Sequence, residues 1–264
     1  EMVVCGDSME LNRDYESAAI YKWRKKRKKA FVLFICIVGI CFLVTRMVRV
    51  EDKTTVKVHN MHTEQNEKAI RYVASNMIKE DPKIAITFDD GPSPVWTPQL
   101  LDGLKERNVK ATFFLIGENA KNNPELVKRE AKEGHLIGNH TYHHVEITRV
   151  PDETAQEEIL MTNEVITGIT GEEVSYMRPP FGVWQKNLER KLDVMPVLWT
   201  IDPLDWTTDN EDEIINKVVT QAGENDIILL HDCYLSSVKA ALRIIDIMQA
   251  KGYEFVTVDE LLLD

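Results

Sequence analysis

Residues 83–98 read KIAITFDDGPSPVWTP, and the order of features in this stretch sets the reading of the fold. The apolar run Lys83–Phe88 predicts a strand, and two acids, Asp89 and Asp90, stand where it ends, followed by Gly91-Pro92. Thr97-Pro98 then reads as a helix N-cap with proline at the first helical position. Strand, polar cluster and capped helix recur downstream. Asn123-Pro124 repeats the helix start, and Gly134 is placed to end that helix as a C-cap glycine. Further strands are predicted at 111–116, 135–138, 174–177, 194–200, 226–230 and 253–256, with helices filling most intervals. Strands alternating with helices imply a parallel sheet under helical cover. The expected fold is α/β, a distorted or incomplete (β/α) barrel of about seven parallel strands. An open doubly wound sheet is the alternative.

Five polar clusters fall where these strands end: TFDDG (Thr87–Gly91), HTYHH (His140–His144), RPPFG (Arg178–Gly182), DPLDW (Asp202–Trp206) and LLHD (Leu229–Asp232). In a barrel the active site belongs at the carboxyl ends of the strands. Acids, imidazoles and a guanidinium gathered there suit a metal-dependent hydrolase. His140 and His144 are four apart, so in a helical turn both rings project from one face. Asp90 adds an oxygen donor, and two imidazoles with one carboxylate make a zinc-type site with open positions. His143 is a rival ligand. Asp89 and Asp90 would repel if both were bare, and a divalent metal on one leaves the other to act as general base. Arg178 presents a rigid fork suited to orienting Asp89, with Asp205 expected to brace it in turn. Trp206 offers an apolar wall. His231 emerges after Ile227–Leu230 and can deliver the proton that a leaving amine requires.

Charge divides the chain. Residues 1–29 carry 8 basic and 5 acidic side chains, and the remaining residues 24 basic and 38 acidic, within a net charge of −11. An acidic body argues against nucleic acid as a partner. Between the two regimes Ala30–Thr45 has no charged residue, and Met47 and Val48 extend it. Twenty-nine residues precede this run and no small-x-small site follows it before Arg46, so it reads as an uncleaved anchor rather than a cleaved signal. Seven of the eight residues Lys22–Lys29 are basic, which places the N-terminus in the cytoplasm. The expected organisation is a cytoplasmic tail (1–29), a single transmembrane signal-anchor helix (30–48), a polar stalk (49–81) and an extracellular domain (82–264). The protein is then a single-pass protein of the cell membrane. Of the four cysteines only Cys233 falls in that domain, so no disulfide forms within it. Cys233 reads as a small packing residue, although a thiolate so near His231 would compete for zinc.

The five clusters, in this order, resemble the five motifs of the polysaccharide deacetylase family (carbohydrate esterase family 4, the NodB homology domain) over roughly residues 80–262. Each motif alone is common; the ordered set is specific. The resemblance implies a distorted β/α barrel and a divalent metal, usually zinc, held by Asp90, His140 and His144. It further implies Asp89 as base, His231 as acid, and Arg178 and Asp205 as tuners of the base. Trp206 and Leu229 would line the acetyl pocket, and the backbone N–H of Phe181 would help hold the oxyanion. Phe181 stands where many relatives have tyrosine, which a backbone donor tolerates. The implied reaction is hydrolysis of N-acetyl groups on a cell-surface glycan, with peptidoglycan N-acetylglucosamine as the nearest substrate. Chitin-like oligosaccharides and O-acetyl esters such as those on xylan are alternatives. From another class, a catalytically silent glycan-binding module remains open.

Overall fold

The computed structural model describes residues 81–185, 188 and 192–263. The predicted cytoplasmic tail, transmembrane helix and nearly all of the stalk lie outside them. Among the described residues no helix is long and apolar enough to cross a membrane.

The described chain runs β1 (Lys83–Asp89), α1 (Thr97–Glu106), β2 (Thr112–Leu115), α2 (Gly117–Asn122), α3 (Pro124–Lys132), β3 (Leu136–Asn139), α4 (Asp152–Thr170), β4 (Tyr176–Met177), β5 (Met195–Pro196), α5 (Glu211–Gln221), β6 (Ile227–His231), α6 (Leu235–Ala250), β7 (Glu254–Phe255) and α7 (Val258–Leu263). Each of the seven predicted strand segments overlaps one of these strands, and β1, β3 and β6 run one residue further than predicted. All pairings are parallel, in the order β5-β4-β3-β2-β1-β6, with β7 pairing the start of β1. The segment after β5 closes the curl. Val197 N–H donates to Met177 O beside β4, and four residues later Ile201 bridges Ile228 in β6. This cross-bridge favours the incomplete barrel over the open doubly wound sheet.

Period-two alternation along the strands divides the residues between two environments. Ile84, Ile86 and Phe88 of β1 pack with Phe113, Leu115, Ile228 and Leu230 under the helices. The intervening Ala85 joins Phe114, Val197, Ile227 and Val256 in a second, smaller cluster on the other face. Further along that inner face the alternation brings up Thr87 and Asp89 from β1 and Leu229 and His231 from β6. The barrel is therefore apolar inside at its amino end and polar at its carboxyl end. Gly138 of β3 is required here, because a Cβ would stand 2.5 Å from the Phe114 ring.

One local expectation needs correction. α1 starts at Thr97, with Trp96 as N-cap and no side-chain cap. The Thr97 hydroxyl instead accepts from Ser93 N–H and donates to Asp232. Gly134 does follow α3 in left-handed conformation, at φ +83°, and its N–H closes onto Ala131 O.

Candidate active site

Arg178, following β4, is fully buried inside the barrel. Its Nη1 donates to Thr87 Oγ1 at 2.6 Å and Asp89 Oδ1 at 2.8 Å, and Nε and Nη2 donate to the carbonyls of Val197 and Leu198. The Phe114 ring lies 4.3 Å from the guanidinium carbon. A buried charge with this many partners is locked in place. It holds one oxygen of Asp89 and leaves the other, Oδ2, 3.8 Å from His140 Nε2.

Asp90, His140 and His144 come together with one donor atom each, all within 4.8 Å of one another. Asp90 Oδ1 lies 3.4 Å from Nε2 of both histidines, yet this buried oxygen has no hydrogen-bond partner. His140 Nδ1–H donates to Arg178 O at 2.6 Å, which turns the Nε2 lone pair toward Asp90. Burial raises the Asp90 pKa, but His140, His231 and His144 outweigh it and hold the carboxyl below its ordinary value. Burial and His140 keep His144 below the usual imidazole range, against the pull of Asp90 and Asp89. An ionised carboxylate with an orphaned oxygen facing two imidazole nitrogens fits a divalent cation. The two histidines do not share a helical turn. Residues 140–144 form a loop in which Thr141 (φ 62°) and His144 (φ 56°) are left-handed, so tertiary contacts set the convergence of the rings. His143 Nδ1 pairs with Glu158 instead, at 2.7 Å.

His231 ends β6. Both Asp205 oxygens turn to it: Oδ2 accepts the His231 backbone N–H and Oδ1 accepts Nδ1–H, each at 2.8 Å. Asp205 therefore braces the imidazole, where the sequence reading had it bracing Arg178. Burial alone would lower this imidazole, but Asp205, with Asp89 and Asp90 behind it, raises its pKa to about 9. Leu229 lies buried on the same inner face. Phe181 is left-handed at φ 61° and its ring is 5.0 Å from that of His144. Trp206 is 56% exposed. Cys233 is partly buried, and burial, with Asp90, Asp232 and Asp205 nearby, pushes its thiol pKa up. Among the described residues the donors that converge are those of Asp90, His140 and His144, and Cys233 is not among them.

Among the described residues seven non-glycine positions have positive φ, and Asp90, Thr141, His144, Phe181 and Leu204 are five of them. Such conformations cost about 1–3 kcal/mol each and persist only where surroundings impose them. Sequence reasoning missed the supporting groups, notably Thr87, which accepts from Arg178, and Glu158, which holds the histidine loop. Glu158 left a signal: it occupies the buried side of α4 beside Ala155, Ile159 and Thr162.

Comparison with known proteins agrees with this arrangement. The family model described as polysaccharide deacetylase matches residues 76–197. The chain is 37% identical over 216 residues to the peptidoglycan-N-acetylglucosamine deacetylase PgdA of Listeria monocytogenes, covering 79% of this chain and 46% of that protein. It therefore spans about half the length of that relative. A peptidoglycan-N-acetylglucosamine deacetylase of Bacillus cereus is 39% identical over 199 residues, covering 72% of this chain and 93% of that one. The solved structure of the peptidoglycan deacetylase PdaC from Bacillus subtilis superposes with a TM-score of 0.68 at 39% identity, covering 69% of this chain and 90% of the other. Ordered motifs, the curled parallel sheet and these likenesses converge: the chain belongs to the polysaccharide deacetylase family.

Proposed function

We propose that this protein hydrolyses N-acetyl groups on a cell-surface glycan, with peptidoglycan N-acetylglucosamine as substrate, releasing acetate and leaving the free amine. The observation that carries the reading is the pairing of two differently backed proton carriers around the Asp90-His140-His144 set. Asp89 is tied to Arg178, and His231 is tied to Asp205.

A divalent metal held by Asp90, His140 and His144, zinc by the character of the donors, would supply Lewis-acid stabilisation of negative charge on the acetyl oxygen. The chain's own groups do the proton work. Asp89, its Oδ1 fixed by Arg178, takes a proton from the attacking water through Oδ2. The Phe181 N–H donates to the oxygen that gains charge as the carbonyl becomes tetrahedral. Asp205 keeps the His231 Nδ1–H engaged, so Nε2 is the position that protonates the departing nitrogen as the C–N bond breaks. Trp206 and Leu229 border the acetyl group. The names of the relatives support peptidoglycan as the substrate. The basic run at 22–29 and the uncharged run at 30–45 support a membrane anchor with the catalytic domain outside the cell.

The test is acetate release by the full chain from peptidoglycan, N-acetylglucosamine oligomers and acetylated xylan, after chelation and again after zinc is restored. Release from peptidoglycan that is lost and then recovered is the expected result. No release from any substrate, with metal bound, would leave a silent glycan-binding module. Asp89→Asn is expected to lower kcat by about 10²–10⁴-fold while metal affinity is kept. Full activity in that variant would remove Asp89 as the base.

A further inference from the structure

The loop that carries both histidines has no regular hydrogen bonding of its own, and two of its five residues are left-handed. Something outside it must hold that shape. Glu158, on α4, is buried, with its side chain 9% exposed, and its carboxylate is given over to the loop. Its Oε2 accepts the backbone N–H of Tyr142 at 2.9 Å and of His143 at 2.7 Å, and its Oε1 pairs with His143 Nδ1 at 2.7 Å. These bonds land on the residues between His140 and His144. A second strut runs in parallel: Asn139 Nδ2 donates to Asn163 Oδ1 on α4, and Asn139 Oδ1 accepts Thr141 N–H at 2.7 Å. From the other side α2 donates Gly117 N–H to Thr141 O and Glu118 N–H to Tyr142 O.

A carboxylate on the core side of a helix costs desolvation energy that an apolar residue would avoid. Glu158 offsets that cost with charge-assisted bonds, and every one recorded goes to the loop. Nothing in its own helix requires an acid there.

We propose that Glu158 is a positioning residue for the metal centre. It sets the left-handed 140–144 loop so that Nε2 of His140 and of His144 converge on Asp90 before metal arrives, with His143 as the side-chain clip that completes the hold. This rests on the reading of Asp90, His140 and His144 as ligands. It also gives His143 a role other than ligand: the donors that converge are those of Asp90, His140 and His144, and His143 turns to Glu158 instead. A loop ordered in advance binds metal without an ordering cost, and groups that orient ligands typically govern affinity about 10–100-fold.

The test uses the full chain freed of metal by chelation and titrated with zinc against a chromophoric competitor, and separately with cobalt, whose visible spectrum reports ligand geometry. Wild type is expected to bind one zinc, and His140→Ala to lose it. Glu158→Ala is expected to weaken zinc affinity about 10–100-fold and to alter the cobalt spectrum, while saturating zinc restores most of kcat. Glu158→Gln, which keeps one acceptor oxygen, and His143→Ala, which removes only the clip, are expected to show smaller losses in the same direction. They serve in its place if Glu158→Ala does not fold. Wild-type zinc affinity and cobalt spectrum in the folded Glu158 variants would overturn the proposal while leaving the ligand set intact. Normal zinc binding by His140→Ala would overturn both.

Discussion

His231 closes β6 at the carboxyl end of the barrel, whereas His135 precedes β3 at the amino end, and both imidazoles are largely withdrawn from water. Burial disfavours the charged form of each. At His135, Lys110 and Arg129 add to that effect, Glu133 only partly opposes it, and the pKa falls to about 4. The neutral ring serves structure: its Nδ1 accepts the Ala111 N–H at 3.1 Å. At His231 the Asp205 carboxylate overturns the effect of burial, and the pKa rises to about 9. The same side chain, similarly buried, is a neutral acceptor at one end and a charged donor at the other. The neighbouring charge decides which, and only the second arrangement keeps a proton ready for a leaving group.

The largest test of this contrast is Asp205→Asn. With the carboxylate gone, His231 loses the largest charge that opposes burial, so kcat is expected to fall on the order of 10²-fold. The alkaline limb of the kcat/KM profile should move to lower pH. An unmoved limb would show that the limb does not report a proton held on His231 by Asp205.

Next in size is the pH dependence of stability, in which the two histidines have opposite signs. The folded pKa of His231, about 9, lies above its ordinary 6.5, so its contribution is full below about 6.5 and is lost as pH rises through 9. The folded pKa of His135, about 4, lies below 6.5, so stability is lost as pH falls from 6.5 toward 4. Each effect is on the order of 3 kcal/mol. Urea titrations of the metal-free chain across pH should therefore show decline on both sides of neutrality. Asp205→Asn should lose the alkaline decline and keep the acid one, and an unchanged alkaline decline would assign it to another group.

A smaller effect sharpens the comparison. Asp89 and Asp90 contribute to the raised His231 pKa, and a dication at Asp90 cancels part of that field. Zinc is expected to lower the His231 pKa and to leave His135 where it is, read from imidazole NMR titrations. Equal shifts at both rings would mean that the metal acts globally rather than at the site.

Much of the architecture was legible because it is written locally. Apolar runs such as Lys83–Phe88 and Ile227–Leu230 mark strands, the Pro124 and Gly134 signals bracket α3, and polar clusters follow the strand ends. The short strands β4 and β5 were legible only as longer segments. Their edges depend on where the curl of the sheet breaks the ladder, and two paired residues each are all that remain. At the candidate site, the residue types and their order could be read in advance. The hydrogen-bond partners could not. Asp205 was expected beside Arg178 and turned to His231; a helical turn was expected at His140–His144 and a left-handed loop was found.

The sequence by itself determined which side chains reach the carboxyl end of the sheet, because alternation and strand order are properties of neighbouring residues. Only the tertiary structure decided which acid serves which base. Asp89 and Arg178 are 89 residues apart, Asp205 and His231 are 26 apart, and Glu158 and His143 are 15 apart. Hydrogen bonds form or fail over a few tenths of an ångström. Such distances are set by how strands and helices pack, and no spacing along the chain encodes them.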